Sequence, residues 1–491
     1  MALKSQVLGL SEINSVLKLL PDRVANRTLQ KATNAGGRVI HFGMPVVHPA
    51  NGQEYLDLGL IGFALSRYSG CWIGFKCVTD TVEGSASVSV DPSRVRIVTP
   101  TDFQMPEGGL NMRLGFMPLM AERQHYEQRM QAVAAFARAN RLDGVRYGKP
   151  GRNRLGIVTT GKSYLDVVEA LRRLGIDEAR AASLGIAVYK VAMVWPLEPA
   201  GLIAFAQECE ELLVVEEKRP VIEEQVAHIL YNAPADRRPR LVGKQDETGR
   251  PIQSVVGELD PDRILKAIAE RYLKMADDGA LRERLERLTA FEREAMGMPA
   301  PGGLMRLPSF CAGCPHNTST RVPEGSKALG GIGCHGMAVW LPERHTMALY
   351  QMGGEGAPWI GQAPFVDMKH IFQNLGDGTY FHSGLLAVRA CVAANVNITY
   401  KILLNGAIAM TGGQPIEGEK FEGALTAPHV ASQLHAEGVG RIAVVSDDPT
   451  KFGDRAGFPP GATFHHRDDL DTVQRSLREW TGVSALIYDQ S

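Results

Sequence analysis

Two apolar runs in the last third of the chain each break off in a short polar turn, and the distance between those turns constrains the fold more than any other feature. The first run, Ile371-Phe-Gln-Asn-Leu, ends in Gly376-Asp377-Gly378-Thr, and the second, Asn397 to Leu404, ends in Asn405-Gly406-Ala407. Asp377 and Asn405 are therefore 28 positions apart, with a helical stretch, Phe381 to Ala394, between the runs. A strand, a crossover helix and a second parallel strand need roughly 30 residues. Right-handed crossovers bring the carboxyl ends of neighbouring parallel strands to one edge of the sheet, where open α/β sheets bind ligands. The spacing thus predicts Asp377 and Asn405 side by side in one crevice.

Those residue types suit a divalent cation and an anion together. Mg²⁺ takes hard oxygen ligands and completes its shell with phosphate oxygens and water. One carboxylate, one amide oxygen and one backbone carbonyl meet that demand, with Asp377 binding the metal. The glycines on either side of Asp377 are expected to let the backbone turn sharply, and the helix that follows offers its first N–H groups to a diphosphate. An Asp between two glycines is by itself commonly only a turn; the partner Asn405 distinguishes this one.

The rest of the chain repeats the α/β pattern. From Gly37 to Pro100 it reads as short β-rich runs with one helix, Gln53 to Tyr68, whose Leu56, Leu60, Ile61, Ala64 and Leu65 form the expected buried face. Leu155-Gly-Ile-Val-Thr-Thr-Gly161 followed by Tyr164 to Leu174 reads as strand, turn and helix, preceded by the basic stretch Lys149 to Arg154. Ala187 to Val194 and Glu211 to Val215 are further strands around the helical Pro199 to Cys209, and Glu216-Glu217-Lys218-Arg219 follows the second. A charged helical stretch, Asp260 to Met298, leads into Pro-Ala-Pro-Gly-Gly, a connector. Beyond it, Thr346 to Met352, Ile371 to Leu375, Asn397 to Leu404, Arg441 to Ser446 and Ser484 to Tyr488 are strands, and Asp468 to Trp480 a helix. The expected fold class is α/β and multi-domain, with doubly wound, mostly parallel sheets. At 491 residues about three domains are expected. Lys+Arg 53 against Asp+Glu 54 leaves a net charge of -1, and no basic run points to nucleic acid. The most apolar long window, Ile186 to Ala206, is broken by Lys190, Pro196, Glu198 and Pro199, which argues against a membrane helix. Without a signal-like N-terminus, the expected location is cytoplasmic.

Seven cysteines in a reducing compartment argue against disulfides. Cys71, Cys77, Cys209 and Cys391 sit in apolar surroundings and read as small buried hydrophobes. Cys311-Ala-Gly-Cys314 is followed after nineteen residues by Cys334-His335. Three thiolates at that spacing suit one soft metal centre. Zinc held by three Cys and either His316 or His335, a [4Fe–4S] cluster and a redox Cys-x-x-Cys are all compatible with the residues. His316 and His335 also read as structural histidines, His316 with a possible contact to cofactor or substrate.

Gly-Asp-Gly with Asn 28 residues later resembles the thiamine diphosphate signature, and Thr411-Gly412-Gly-Gln414 is similar to a run in 2-oxoacid:ferredoxin oxidoreductases. Met352-Gly-Gly-Glu355-Gly356, Gln373 to Gly384, Asn397-Ile-Thr-Tyr-Lys, Ser66 to Trp72 and Thr81 to Ser87 resemble the long, fused type of indolepyruvate ferredoxin oxidoreductase, a likeness running from about residue 40 to 491. Gly406 departs from that pattern, where an acidic residue is more usual. The resemblance implies Mg²⁺ on Asp377, Asn405 and the carbonyl of Ala407, with Glu355, Gly356, Gly376, Gly378, His316 and the Thr411 to Gln414 turn near thiamine diphosphate. It implies sheets of the thiamine diphosphate-binding type in three parts: 1–105, part of a pyrimidine-binding domain; 106–290, a domain like the transketolase C-terminal one, with the helical connector; and 291–491, the diphosphate-binding domain. It further implies oxidative decarboxylation of an arylpyruvate such as indolepyruvate with coenzyme A, electrons passing through a [4Fe–4S] cluster on Cys311, Cys314 and Cys334 to ferredoxin, and a homodimer or a further subunit. The glutamate that activates the aminopyrimidine has no counterpart here. Glu12 is the available candidate, better read as a solvated helix position, so the catalytic residue is unassigned. A fourth cluster cysteine is also lacking after Cys334, and the chain is expected to be an internal fragment. The alternatives are a non-redox thiamine diphosphate decarboxylase or carboligase, and an inactive subunit that only binds the cofactor.

Overall fold

The computed structural model describes residues 43–111, 117–297, 308–416 and 425–490, so Glu12 and the connector after Met298 lie outside the described residues. The chain forms two compact units that meet in sequence after Gly303. The described residues of the first two expected parts share one unit.

In the first unit, β1 (Val46–Val47) pairs parallel with β2 (Gly74–Phe75). Most of the residues read as β-rich before Pro100 form no regular element, and the alternating Ala86, Val88 and Val90 of the exposed stretch from Glu83 to Asp91 remain uncovered, Val88 39% and Val90 78% exposed. The helix Gly52–Ser69 is capped by Asn51, whose side chain accepts from the Glu54 N–H at 3.0 Å. It buries Leu58, Gly62 and Leu65, whereas Leu56 and Leu60 are 42% and 54% exposed. Two of the five residues expected on its buried face thus point to solvent.

The main sheet of this unit contains β3 (Gly144–Tyr147), β4 (Asn153–Thr160), β5 (Ile186–Val191), β7 (Cys209–Val215) and β8 (Arg240–Val242) in the order β3-β5-β4-β7-β8. All pairs are parallel except β3 with β5. The run expected as one strand from Ala187 to Val194 is split, and its second part, β6 (Met193–Trp195), turns away to pair with β1. β4, β5 and β7 are buried almost throughout, as parallel strands covered on both faces must be. The charged stretch after Asp260 is two helices, Pro261–Met275 and Gly279–Gly297, with Ala276 in extended conformation between them.

The second unit holds a seven-stranded sheet of β9 (Ala328–Gly330), β10 (Thr346–Leu349), β11 (Ile371–Gly376), β12 (Ile398–Leu404), β13 (Arg441–Ser446), β14 (Thr463–His466) and β15 (Val483–Asp489). Their order is β10-β9-β11-β12-β15-β13-β14 and every pair is parallel. Two strands escaped the sequence reading: β9 is three residues long with no alternation, and β14 is half histidine. Both units are therefore α/β with mostly parallel sheets, and no helix among the described residues is long and apolar enough to cross a membrane. From β9 the chain passes to β10 on one side and then to β11 on the other. The sheet thus has its switch point between β9 and β11, where a crevice opens at the carboxyl edge.

One ion pair is buried in the first unit. Arg271 donates from Nε and Nη2 to the two carboxylate oxygens of Glu211 at 2.7 and 2.5 Å, and from Nη1 to Glu247 at 2.7 Å. Removing one partner strands a desolvated charge, which costs ~3–5 kcal/mol, far more than an exposed pair would. Arg240, 3.6 Å from Glu211, offsets only part of that. Arg271→Met is expected to lower the unfolding free energy by about 3 kcal/mol in urea titration, and the double variant Glu211→Leu/Arg271→Met by clearly less.

Candidate functional site

The register of β11 against β12 pairs Gly376 with Leu403, so Asp377 leaves one strand as Leu404 and Asn405 leave the next. Asp377 is buried, and its Oδ2 accepts the N–H groups of Asn405 at 2.8 Å and Gly406 at 3.0 Å, while Oδ1 accepts that of Gly378 at 2.8 Å. Asn405 Oδ1 accepts the N–H of Ala407 at 3.1 Å. Gly406 stands at φ 73°, the left-handed region that glycine enters without strain. The two residues predicted to meet do meet.

Burial raises the Asp377 carboxyl above the usual range, against the backbone N–H groups that pull it down. Among the described residues no lysine or arginine neutralises it. A carboxylate so placed is one that a divalent cation would favour in its ionised form.

The glycines beside Asp377 serve a purpose other than the expected sharp turn. Gly376 has φ -71° and Gly378 is not among the positive-φ glycines. A Cβ on Gly376 would come within 3.1 Å of the His335 ring, and one on Gly378 within 3.1 Å of the Ile408 side chain. They provide room. Asp377 opens a helical path that runs as one turn, Asp377–Thr379, through a wider turn, Tyr380–Gly384, into Leu385–Ala393.

A cavity of about 240 Å³ occupies this edge, lined by Asp377, Gly376, Gly378, Asn405, Ala407 and Thr411 on one side. His316, Cys334 and His335 line it as well, which joins the cysteine region to the strand ends. Gly412 and Gln414 lie just outside it. Gln414 Nε2 donates to the Thr411 carbonyl at 2.9 Å and Thr411 Oγ1 donates to Gln414 Oε1 at 2.8 Å, which closes the turn on itself. Met352, His382, Ile408 and Met410 also line the cavity and were not singled out in the sequence. The apolar character of Met352, Ile408 and Met410 is the signal that the reading passed over, and His382 offered none.

Glu355 and Gly356 are behind the cavity wall. Gly356 is needed for packing, because the Tyr400 hydroxyl stands 2.3 Å from where its Cβ would be. Glu355 is fully buried, with Oε2 accepting the Gly353 N–H at 2.6 Å and Oε1 without a partner. Burial pushes its carboxyl up to about 7. His335 Nε2 is also unpartnered, and it and Glu355 Oε1 reach the point where a Cβ on Gly331 would stand, at 2.9 and 3.1 Å. Burial holds His316 down to about 4 and His335 down to about 3. Both rings are neutral, stacked edge to face with centroids 5.9 Å apart, and His316 Nδ1 is 3.3 Å from Ser319 Oγ.

Cys311 is exposed, and Cys314 and Cys334 are half-buried. Burial first, and the charges of Cys314 and Cys311 second, raise the Cys334 thiol. Among the described residues no three His, Cys, Asp or Glu side chains are grouped as a metal site. The Asp377 arrangement, with one carboxylate, one amide and one carbonyl, is not of that kind. Cys71, Cys209 and Cys391 are buried as expected and Cys77 is partly so.

Two family models match this chain. Residues 145–295 match the indolepyruvate oxidoreductase domain, and residues 331–483 the C-terminal TPP binding domain of thiamine pyrophosphate enzymes, which contains Asp377, Asn405 and the cavity between them. By these two matches the chain is similar to indolepyruvate oxidoreductases and to thiamine pyrophosphate enzymes. The indolepyruvate oxidoreductase subunit IorA of Methanothermobacter marburgensis is 26% identical over 396 residues, which is 77% of this chain and 57% of that protein. That of Thermococcus kodakarensis is 30% identical over 284 residues, 54% of this chain and 40% of its own length. The chain thus spans little more than half the length of the curated relatives it matches. A solved 2-oxoglutarate:ferredoxin oxidoreductase from Magnetococcus marinus is 16% identical over 47% of this chain and 42% of that chain, with a TM-score of 0.28, too low to bear on the fold.

The raised carboxyl of Glu355 has a measurable consequence. It keeps its proton longer in the folded chain than in the unfolded one, where 4.5 is usual. Its stabilising share is therefore complete below about pH 4.5 and is lost as the pH rises toward 7. In Glu355→Gln that loss disappears. Urea titrations at pH 5 and pH 7.5 are expected to give a stability drop smaller by about 1–3 kcal/mol in the variant than in the parent chain; equal drops would mean that Glu355 is ionised throughout.

Proposed function

We propose that this chain holds the diphosphate and its divalent cation for a thiamine diphosphate-dependent 2-oxoacid oxidoreductase, and that the substrate is an arylpyruvate such as indolepyruvate. The observation that carries this reading is the buried Asp377 carboxylate, without a countercharge, beside Asn405 and Ala407 in one cavity at the sheet's switch point. Asp377, the Asn405 side-chain oxygen and the Ala407 carbonyl would hold Mg²⁺. The helical path that starts at Asp377 would receive the diphosphate, with Thr411, Gly412 and Gln414 in the turn beside it. Glu355 and Gly356 act from behind, one as a buried acid and the other as space for Tyr400.

Thiamine diphosphate supplies an electron sink for the carbanion left when CO₂ departs from a 2-oxoacid. This chain's own share is to bind and orient. The apolar Met352, Ile408 and Met410 exclude water, and the neutral His316 and His335 add no positive charge that would compete for the diphosphate. No activating glutamate is assigned among the described residues. Coenzyme A as acyl acceptor, ferredoxin as electron acceptor, and a dimer or further subunit complete the proposal, in keeping with relatives that are named as oxidoreductase subunits. The three-part division at 105/106 and 290/291 and a cytoplasmic location belong to it too.

The [4Fe–4S] cluster belongs to this proposal with a restriction. Cys311, Cys314 and Cys334 do not make a closed metal site by themselves, and no electron-transfer step is assigned to them. Iron and sulfide analysis of anaerobically prepared protein tests it, and zinc without iron would remove it. Turnover with indolepyruvate, coenzyme A and ferredoxin separates the oxidoreductase from a decarboxylase or carboligase and from a subunit that only binds.

For the site itself, calorimetry with thiamine diphosphate and Mg²⁺ is decisive. Asp377→Ala, checked for fold by circular dichroism, is expected to lose metal-dependent binding altogether. Unchanged affinity in that variant would falsify the assignment.

A further inference from the structure

The helix Gly161–Arg173 starts at the carboxyl end of β4, the central strand of the first unit's main sheet, from which the neighbours β5 and β7 lie on opposite sides. That is the switch point of this sheet, the position where open α/β sheets take ligands. The helix is thirteen residues long and its N-terminus is uncapped. Thr160, in the capping position, makes no cap bond and donates its hydroxyl to the Val191 carbonyl at 2.7 Å instead, and the first turn carries no acidic residue. Its leading N–H groups and the positive end of its dipole therefore lack a side-chain partner.

A second, independent feature faces that N-terminus. His48 is 5% exposed and both of its ring nitrogens lack a hydrogen-bond partner. Its ring edge lies against Gly161: Cε1, Nδ1 and Nε2 are all 2.1–2.3 Å from the point a Cβ on that residue would occupy. Only glycine admits the ring there. Burial first, then the charges of Lys76 and Lys190, hold His48 neutral, so it keeps one N–H to donate and one nitrogen to accept.

His48, Lys76, Thr160, Lys162 and Ser163 line a cavity of about 30 Å³. One water needs ~10–15 Å³, so the space admits two or three heavy atoms, the tip of a ligand and no more. Glu216 and Glu217 also line it, but their carboxylates are engaged. Glu216 accepts the N–H groups of Val221, Ile222 and Glu223, and Glu217 accepts that of Leu259 at 2.9 Å. Lys162 is held by Asp166 and the Leu259 carbonyl, both at 3.0 Å, with the Glu258 carboxylate further off at 3.9 Å. A planar group of three heavy atoms with one negative charge matches this size and these donors. A phosphate is too large for the space and brings a second charge toward Glu217.

We propose that this pocket of the first unit binds the carboxylate end of a small organic acid, held by the uncapped N–H groups of the helix, by His48 and by Lys162 and Lys76. Anions are favoured at helix N-termini for the same reason throughout proteins, but here a buried histidine with no other partner is turned onto the site. The pocket is independent of the Asp377 cavity and does not rest on the function proposed for it.

Acetate is the probe. With the full chain, saturation-transfer NMR is expected to show acetate in contact with the protein, with a millimolar dissociation constant that is the same before and after thiamine diphosphate and Mg²⁺ are added. Lys76→Met, a change at a half-buried position, is expected to weaken it at least threefold, and His48→Leu at least tenfold, both with an unchanged circular dichroism spectrum. Should His48→Leu not fold, Lys76→Met carries the test alone. Acetate binding that is undiminished in Lys76→Met, or that thiamine diphosphate displaces, overturns the proposal. Inorganic phosphate competing more strongly than acetate would overturn the carboxylate assignment in favour of a general anion site.

Discussion

The carboxylate of Asp377 joins the ends of two neighbouring strands, and the geometry of the whole cavity depends on that joint. Two of the N–H groups it accepts belong to Asn405 and Gly406, 28 and 29 residues further along the chain. Hydrogen bonds to a charged group contribute ~1.5–3 kcal/mol each, and burying a carboxylate without them costs several kcal/mol. The bonds offset much of that cost only while β11 and β12 keep their register. A slip by one residue would point Asp377 away from the Asn405 turn and leave the buried charge with the local Gly378 N–H but without its two bonds from the next strand. The sheet and the site therefore hold each other in place.

The cavity's other walls are kept electrically quiet. His316 and His335 are too deeply buried to take a proton near neutrality, and Glu355, with a value near 7, spends much of its time protonated. The field in the cavity is thus set mainly by Asp377 and the oriented backbone N–H groups around it. Low local polarity magnifies both effects, and it makes the arrangement selective for a ligand that carries a cation and an anion together. Separate neutral or singly charged molecules gain from only one of the two.

The centre of this site was legible because it rests on distance along the chain. A strand, a crossover and a strand leave few ways to place Asp377 and Asn405, and the apolar runs of β11, β12 and β15 are long enough to declare themselves. What was not legible depends on packing between distant segments. β9 is three residues without a pattern, yet it marks the switch point and delivers Cys334 and His335 to the cavity. The glycines around Asp377 looked like turn residues, but the need they meet, room for His335 and Ile408, exists only once those side chains arrive. On the helix Gly52–Ser69 the exposed Leu56 and Leu60 carried the same apolar signal as the buried Leu58 and Leu65. Periodicity identifies the helix and leaves open which part of a broad apolar face is covered.

The two parallel sheets answer the same geometric problem with opposite charges. At each switch point a strand ends, a helix begins with free N–H groups, and something must face them. In the second unit an acid stands at the first position of the helical path and binds backbone donors with its own oxygens, so under the proposed function a cation would have to precede a diphosphate there. In the first unit the corresponding place is a glycine, and a neutral imidazole with two nearby lysines leans over it. There the N–H groups remain available to an anion directly, with no metal required. If both proposals hold, a single residue at the start of the helix, Asp377 in one sheet and Gly161 in the other, sets which sign of charge the edge attracts.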